Sequence, residues 1–168
     1  MNINETLKHY FGYDSLRPGQ QELIEGILQR KDVLGIMPTG AGKSLCYQVP
    51  ALMLDGITIV VSPLISLMTD QVKALNQAGV HAAYINSSLT ENQIRTALFY
   101  AAQGRYKIIY VAPERLNTIR FLEFACQVDI SMVTVDEAHC ISQWGQDFRP
   151  SYVGIADFLA QLPKRPVV

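Results

Sequence analysis

The stretch MPTGAGKSLCYQ (37–48) is a glycine-rich turn followed by a lysine, a serine and a run compatible with a helix. Gly40 and Gly42 let the backbone curl so that its N–H groups can surround phosphate oxygens. Lys43 adds a positive charge, and the Ser44 hydroxyl can join the ligands of a Mg²⁺ ion. The pattern predicts a nucleoside triphosphate site. Its predicted phosphate cradle comprises Pro38, Thr39, Gly40, Ala41, Gly42, Lys43 and Ser44.

One position departs from the strict form of this pattern, G-x-x-x-x-G-K-[ST]. The chain has Met37 where the pattern asks for its first glycine, whereas Gly42, Lys43 and Ser44 are intact. The alternative interpretation is a glycine turn that only caps a helix. A Lys-Ser pair directly after the glycines has little packing value, so the phosphate interpretation is favoured.

Short apolar runs and amphipathic stretches alternate on both sides of this turn. The runs that read as buried strands are KDVLGIM (31–37), GITIVVS (56–62), VHAAYI (80–85), YKIIYVA (106–112) and SMVTVDE (131–137). Helical spacing of apolar residues occurs over 19–30, 64–78 and 91–103. This alternation predicts an α/β fold with a mainly parallel sheet and helices on both faces. Ligands of such sheets bind at the carboxyl ends of the strands.

An acidic pair follows the last of these predicted strands. Asp136 comes directly after the apolar run and is expected to hold Mg²⁺, partly through water. Glu137 can orient or deprotonate an attacking water molecule, which needs a carboxylate within hydrogen-bond reach. With Lys43, these two acids are the predicted catalytic residues, and Ser44 and Asp136 are the predicted metal ligands. The alternative is an Asp-Glu pair that caps a helix.

Composition limits the class of protein without identifying a partner. The chain has 168 residues, 49% of them hydrophobic, and a formal net charge of −1. These values exclude a disordered chain and provide no charge-based case for a nucleic-acid partner. No apolar run reaches the roughly 20 residues of a membrane span. The three cysteines and three histidines are scattered, so no protein-ligated transition metal is expected, and the predicted compartment is the cytoplasm.

Several motifs together resemble one helicase family. DEAH (136–139) with PTGAGKS (38–44) looks like the first motor lobe of a superfamily-two helicase. CISQWGQDFRPSY (140–152) resembles the aromatic-rich loop of RecQ-type DNA helicases. Three further segments are similar to motifs of that family: FGYDSLRPGQQELI (11–24), VSPLISLMTDQV (61–72) and YVAPERL (110–116). The resemblance covers the chain from about residue 6 to its end and implies a three-layer, RecA-like (P-loop NTPase) domain.

The resemblance also implies roles for residues outside the phosphate cradle. Tyr13 and Arg17 are expected to sandwich an adenine base, and Gln20 is expected to hydrogen-bond its edge. An aromatic or guanidinium face suits a planar base, and an amide supplies both a donor and an acceptor. The alternative has Tyr13 packed on the first helix and Arg17 solvated.

The same resemblance predicts contacts with single-stranded DNA. The aromatic loop would present aromatic faces and a cation to the bases and couple DNA binding to hydrolysis. Strand-end groups would hold the DNA backbone. The predicted DNA and coupling residues are Ser62, Pro63, Leu64, Arg115, His139, Gln143, Trp144, Phe148 and Arg149. The alternatives are a core position for Trp144, a helix-capping role for Ser62 and a surface ion pair for Arg115.

The resemblance implies an ATP- and Mg²⁺-dependent DNA helicase. Such an enzyme translocates 3'-5' on single-stranded DNA and unwinds duplexes in repair and recombination. The expected partners are single-stranded DNA, DNA junctions and a second RecA-like lobe of the same parent chain, in a monomer without a membrane contact. The chain is expected to be a C-terminally truncated first lobe with little turnover alone, lacking the second lobe, the zinc-binding region and the winged-helix region. Two alternatives remain: a lobe of an RNA helicase or duplex translocase, and a non-catalytic interaction module.

Overall fold

The computed structural model describes residues 1–38 and 40–168. Helices and strands alternate along most of this part of the chain. The elements are α1 (Ile3–Phe11), α2 (Gln20–Leu28), α3 (Lys43–Met53), β1 (Ile57–Val61), α4 (Ile65–Gln77), β2 (Ala82–Ile85), α5 (Glu91–Ala102), β3 (Ile108–Val111), α6 (Ile119–Gln127), β4 (Ile130–Val135) and α7 (Gly154–Gln161). None of the helices in the described residues is both long and apolar enough to cross a membrane.

The strands of the described residues form one parallel sheet in the order β2-β3-β1-β4. Val61 at the end of β1 lies beside Val111 of β3 and Val135 of β4, so these three strands end at the same edge. The predicted α/β architecture with a parallel sheet is confirmed. The segment after each strand therefore reaches one common edge, where the sequence places its chemical groups.

The sheet is buried on both faces because successive side chains of a strand point in opposite directions. Ile59 and Val61 of β1 belong to a core that also contains residues of α5, α6 and α7. Val60 of the same strand belongs to a second core with residues of α2, α3 and α4. A sheet between two helical layers explains why the strands read as continuous apolar runs.

The predicted strand at 31–37 is wrong. This segment is not part of the sheet, and Leu34 and Ile36 are 75% and 89% exposed. A strand requires hydrogen-bonding neighbours, and the position beside β4 is taken by Val167, which bridges Met132. The Val33 N–H donates to the Val168 carbonyl oxygen at 3.1 Å, so residue 168 lies between this segment and β4.

Candidate active site

The glycine-rich turn has the predicted backbone form. Gly40 and Gly42 both have φ near 79°, a left-handed conformation that glycine adopts without strain. Gly42 caps α3, which begins at Lys43 and carries Ser44 in its first turn. The Ala41 N–H donates to the Pro38 carbonyl oxygen at 3.2 Å. Thr39, which was also predicted to bind phosphate, lies outside the described residues.

Arg17, which precedes α2, and Gln20, the first residue of α2, form hydrogen bonds with the backbone of this turn. Arg17 donates from Nη1 to the carbonyl oxygen of Gly40 at 2.7 Å. Gln20 donates from Nε2 to the carbonyl oxygen of Gly42 at 2.9 Å and accepts at Oε1 from the Arg17 N–H at 2.7 Å. These donors partly neutralise carbonyl oxygens that would otherwise repel an anion in the turn. Sequence reasoning missed this contact because no spacing links residue 20 to residue 42.

The same contacts bear on the predicted adenine site. Gln20 is 1% exposed and both atoms of its amide contact backbone groups, whereas Tyr13 is 53% exposed. Tyr13 is thus accessible for stacking, and the hydrogen bond from Arg17 to Gly40 argues against the alternative that Arg17 is only solvated. An adenine contact by Gln20 requires its amide to exchange partners. Adenine binding by Tyr13, Arg17 and Gln20 stays a prediction.

The close packing of Gly42 on Gln20 makes the turn sensitive to one added methyl group. A Cβ atom at Gly42 would lie 2.5 Å from Nε2 of Gln20, and the φ of 79° disfavours any other residue. Gly42→Ala is therefore expected to weaken Mg-ATP binding by about tenfold or more, as about 1–3 kcal/mol of strain falls on the cradle. Equilibrium titration with a fluorescent ATP analogue measures the change.

Gly104→Ala is the matched control for this prediction. Gly104 also has φ 79°, but a Cβ there would meet nothing within 4 Å, and the residue lies between α5 and the start of β3, at the opposite edge of the sheet from the strand ends. The control is expected to lower thermal stability and leave nucleotide affinity unchanged. Equal affinities of Gly42→Ala and the unmodified chain would contradict the assignment of the turn as a phosphate cradle.

Lys43 joins the turn to the acidic pair. Its Nζ lies 2.8 Å from Oδ1 of Asp136 and 2.9 Å from Oε1 of Glu137. The Asp136 N–H donates to the Val61 carbonyl oxygen, which fixes the acid at the end of β4. The fold therefore brings Lys43 into contact with an acidic pair that lies more than 90 positions further along the chain.

The charges of this triad stabilise one another. Partial burial acts to lower the pKa of Lys43, but its hydrogen bonds to Asp136 and Glu137 outweigh burial and raise that pKa. The hydrogen bond from Lys43 is the largest influence on Glu137 and lowers the pKa of its carboxyl group. Glu137 is therefore ionised at neutral pH, and Lys43 forms ion pairs with both acids.

The backbone at the acidic pair is strained and is held by a buried tyrosine. Glu137 has φ 54°, which is uncommon for a residue with a side chain, and its N–H donates to Oδ1 of Asp136 at 3.0 Å. Tyr152 is fully buried and donates its hydroxyl to the Asp136 carbonyl oxygen at 2.7 Å. Strain of this kind concentrates at functional sites. The motif QWGQDFRPSY contains Tyr152, but nothing in its spacing predicts this contact.

The donor set suits Mg²⁺ carried in with phosphate. Ser44 supplies a hydroxyl oxygen and Asp136 a carboxylate oxygen, which are the oxygen donors that Mg²⁺ prefers. Among residues 1–38 and 40–168, no group of three or more His, Cys, Asp or Glu side chains could hold a metal. Mg²⁺ is commonly held by one or two protein oxygens together with substrate phosphates, so Ser44 and Asp136 fit the ion.

The aromatic-rich loop follows the acidic pair and is open to solvent. Trp144 is 95% exposed, so the alternative that it anchors the core is wrong. Gln143 and Arg149 are exposed, and Phe148 is half-buried. An indole ring that makes so little contact with the protein is available for stacking on a base.

His139 lies between the acidic pair and this loop. Its Nδ1 is 3.4 Å from Oε2 of Glu137, and its Nε2 is 3.5 Å from Oδ2 of Asp147. The imidazole therefore connects the predicted catalytic carboxylate to the segment that carries Trp144. Asp147 was not singled out from the sequence, and its place three residues after Trp144 was the available signal.

The strand-end candidates divide into exposed and buried residues. The side chain of Ser62 is fully buried and its Oγ has no hydrogen-bond partner among the described residues, so it is not exposed to DNA in this structure, and its DNA contact stays a prediction. The burial follows from its place at the end of the central strand β1, whose neighbours cover it. Leu64 is 44% exposed, and Pro63 is half-buried. Arg115 pairs with Glu91 at 3.4 Å, as in the ion-pair alternative.

Comparisons with known proteins point to one family. The family described as "DEAD/DEAH box helicase" matches residues 17–168. The chain is 52% identical to the ATP-dependent DNA helicase RecQ of Bacillus subtilis, over 96% of this chain and 28% of that protein. It is 46% identical to RecQ of Haemophilus influenzae, over 97% of this chain and 26% of that protein. The chain thus spans about a quarter of the length of these curated relatives.

A solved structure resembles the fold. The crystal structure of the DUF1998 helicase MrfA bound to DNA and AMPPNP superposes with a TM-score of 0.65 at 17% identity. The similarity covers 83% of this chain and 21% of that one. At this identity the match supports the architecture of the lobe.

Proposed function

Because the chain belongs to the DEAD/DEAH box helicase family, we propose that it is the ATP-binding first lobe of a RecQ-type, ATP-dependent DNA helicase. The observation that carries the proposal is the convergence of Lys43, Asp136 and Glu137 beside a glycine turn at the carboxyl edge of the sheet. The high identity to RecQ helicases supports DNA, in preference to RNA, as the nucleic acid. The intact triad disfavours a non-catalytic interaction module.

Binding of ATP would rearrange the triad. The turn offers backbone N–H groups and the positive end of α3 to the phosphates, and Lys43 would move from the acids toward them. Mg²⁺, when bound, neutralises phosphate charge, and Ser44 and Asp136 would hold it. With Lys43 withdrawn, Glu137 is released to accept the proton of an attacking water, a role that its carboxylate can fill only when free.

The partners and setting belong to the same proposal. Single-stranded DNA would stack on Trp144 and Phe148 and contact Arg149, which lie on the accessible loop. The RecQ resemblance supports five further proposals. They are binding to DNA junctions, 3'-5' translocation, a second RecA-like lobe that completes the nucleotide site, a monomeric state and a bacterial cytoplasmic location. A second lobe with an arginine finger would raise the rate of phosphoryl transfer by roughly 10³–10⁵-fold.

Replacement of Lys43 tests nucleotide binding in this chain itself. Lys43→Ala is expected to lower the affinity for Mg-ATP about tenfold or more, because a hydrogen bond to a charged group contributes about 1.5–3 kcal/mol. Isothermal titration of the chain with Mg-ATP measures the affinity. Lys31→Ala, at an exposed lysine before the turn, is the matched control and is expected to bind as the unmodified chain does.

The pH dependence of unfolding tests whether Lys43→Ala removes only the ion pair with Glu137 or disrupts the fold as a whole. Lys43 lowers the pKa of Glu137 below its ordinary 4.5, so their pairing stabilises the fold above that pH. That contribution is lost as the pH falls through the lowered pKa. Lys43→Ala is thus expected to unfold more easily near neutral pH, with a smaller difference in acid. An unmodified chain that binds no Mg-ATP would overturn the proposed function.

A further inference from the structure

A chain of polar side chains runs beneath the phosphate turn and is not used by the proposed mechanism. Gln71 of α4 donates from Nε2 toward Oγ of Ser44 at 3.5 Å and accepts at Oε1 from Nε2 of Gln48 at 2.9 Å. Gln48 also donates to the Tyr110 hydroxyl at 3.1 Å, which lies 3.1 Å from the hydroxyl of Tyr47. The contacts connect α3, α4 and β3 in one network.

The network lies in the interior of the domain, where unpaired polar groups would destabilise the fold. Gln48, Tyr110 and Tyr47 are 4%, 1% and 6% exposed, and buried polar groups destabilise a fold unless they are hydrogen-bonded. Burial raises the pKa of both tyrosines, so their hydroxyls stay neutral and can donate. Apolar side chains of similar volume would fill the same space without this requirement. A satisfied polar network in a core fixes the orientation of its members.

The orientation of Gln71 follows from its partners. Gln48 has an amide N–H for each of two acceptors, Oε1 of Gln71 and the hydroxyl of Tyr110. With its oxygen held by Gln48, Gln71 must turn its amide nitrogen toward Ser44. A donor on one side of the Ser44 oxygen leaves another lone pair of that oxygen directed away from Gln71, which is the electron pair that a metal ion requires.

We propose that Gln71 is a positioning residue that holds the Ser44 hydroxyl ready for Mg²⁺, with Gln48 and Tyr110 fixing its amide. The inference rests on the proposed function, because it assigns Gln71 a part in the same nucleotide site. Gln71 acts through Ser44 and does not contact the nucleotide. Since α4 begins directly after Pro63 and Leu64, this contact also joins the phosphate turn to a segment predicted to meet DNA.

The Mg²⁺ requirement of ATP binding tests the inference. Gln71→Met keeps the length of the side chain and removes both hydrogen bonds. It is expected to raise the Mg²⁺ concentration for half-maximal binding of a fluorescent ATP analogue about fivefold, the effect of a hydrogen bond of about 1 kcal/mol. Binding of the analogue without Mg²⁺ is expected to stay unchanged. Gln77→Met, at an exposed position of the same helix, is the control.

A second variant keeps the test decisive if Gln71→Met unfolds. Tyr110→Phe removes the hydroxyl that holds Gln48 and is expected to shift the Mg²⁺ requirement in the same direction by a smaller factor. An unchanged Mg²⁺ requirement in a folded Gln71→Met chain, or equal weakening with and without Mg²⁺, would overturn the inference alone. If the unmodified chain binds no Mg-ATP, the proposed function and this inference both fail.

Discussion

In the longer helicase of which this chain is proposed to be the first lobe, Glu137→Gln is expected to lower ATP turnover about 10²–10⁴-fold, the range that general acid-base groups contribute. The amide has the shape of the carboxyl group and still offers an oxygen to Lys43, so the nucleotide-free triad should form. Unlike the carboxylate, the amide cannot accept a proton from water. Affinity for Mg-ATP is therefore expected to change little, and the loss should appear in kcat.

The hydrogen bond from Lys43 affects how well Glu137 can act as a base. Its pKa is lowered mainly by the hydrogen bond from Lys43, and a carboxylate with a lowered pKa is a weaker base. The proposed movement of Lys43 toward the phosphates would remove that hydrogen bond. Under this proposal ATP binding displaces Lys43, and the displacement frees the base.

Steady-state and single-turnover ATPase measurements, with single-stranded DNA present, check the prediction. Glu123→Gln, at an exposed glutamate of α6, is the matched control and should turn over normally. Turnover of Glu137→Gln within twofold of the unmodified enzyme would contradict the assignment of Glu137 as the base. A loss confined to Mg-ATP affinity would instead show that Glu137 serves to hold Lys43.

The site residues that were predicted from the sequence directly follow a strand or a turn. Each of these can be recognised from a short stretch of sequence, an apolar run or a glycine-rich pattern. The end of a buried strand locates Asp136 and Glu137 at the carboxyl edge of the sheet, whereas Lys43 is identified by the glycine-rich pattern alone, because the strand predicted before it is not part of the sheet. The β-branched runs around 57–61 and 130–135 have both faces covered, which their composition already requires. These parts of the fold could be predicted because local sequence and tertiary position agree.

The errors and omissions depend on partners that are remote in sequence. The segment 31–37 has the composition of a strand, but pairing is decided by the neighbour, and Val167 occupies the place beside β4. Ser62 follows a strand as the predicted phosphate contacts should, yet the layers above and below bury it completely. The contact of Tyr152 with the Asp136 carbonyl group joins a side chain to a backbone atom, which has no signature in residue spacing.

In the same proposed helicase, Trp144→Ala is expected to remove most of the stimulation of ATPase activity at concentrations of single-stranded DNA that half-saturate the unmodified protein. Stacking on an aromatic ring contributes about 1–3 kcal/mol per base, so half-maximal stimulation should require about 5- to 150-fold more DNA. The indole ring is 95% exposed, and its removal therefore costs the fold little. Basal turnover and thermal stability are expected to stay close to those of the unmodified protein.

Phe99→Ala separates a specific effect from the loss of any exposed aromatic ring. Phe99 is 58% exposed on α5 and lies outside the aromatic-rich loop, so this variant is expected to respond to DNA normally. DNA titrations of ATPase rate and of fluorescence anisotropy, run in parallel, distinguish weakened binding from lost coupling. If Trp144→Ala binds DNA tightly but no longer accelerates hydrolysis, Trp144 acts in coupling, for which the contacts of His139 with Asp147 and Glu137 offer a path. Unchanged stimulation would exclude Trp144 from both DNA binding and coupling, and the exposure of its ring would then need a different partner.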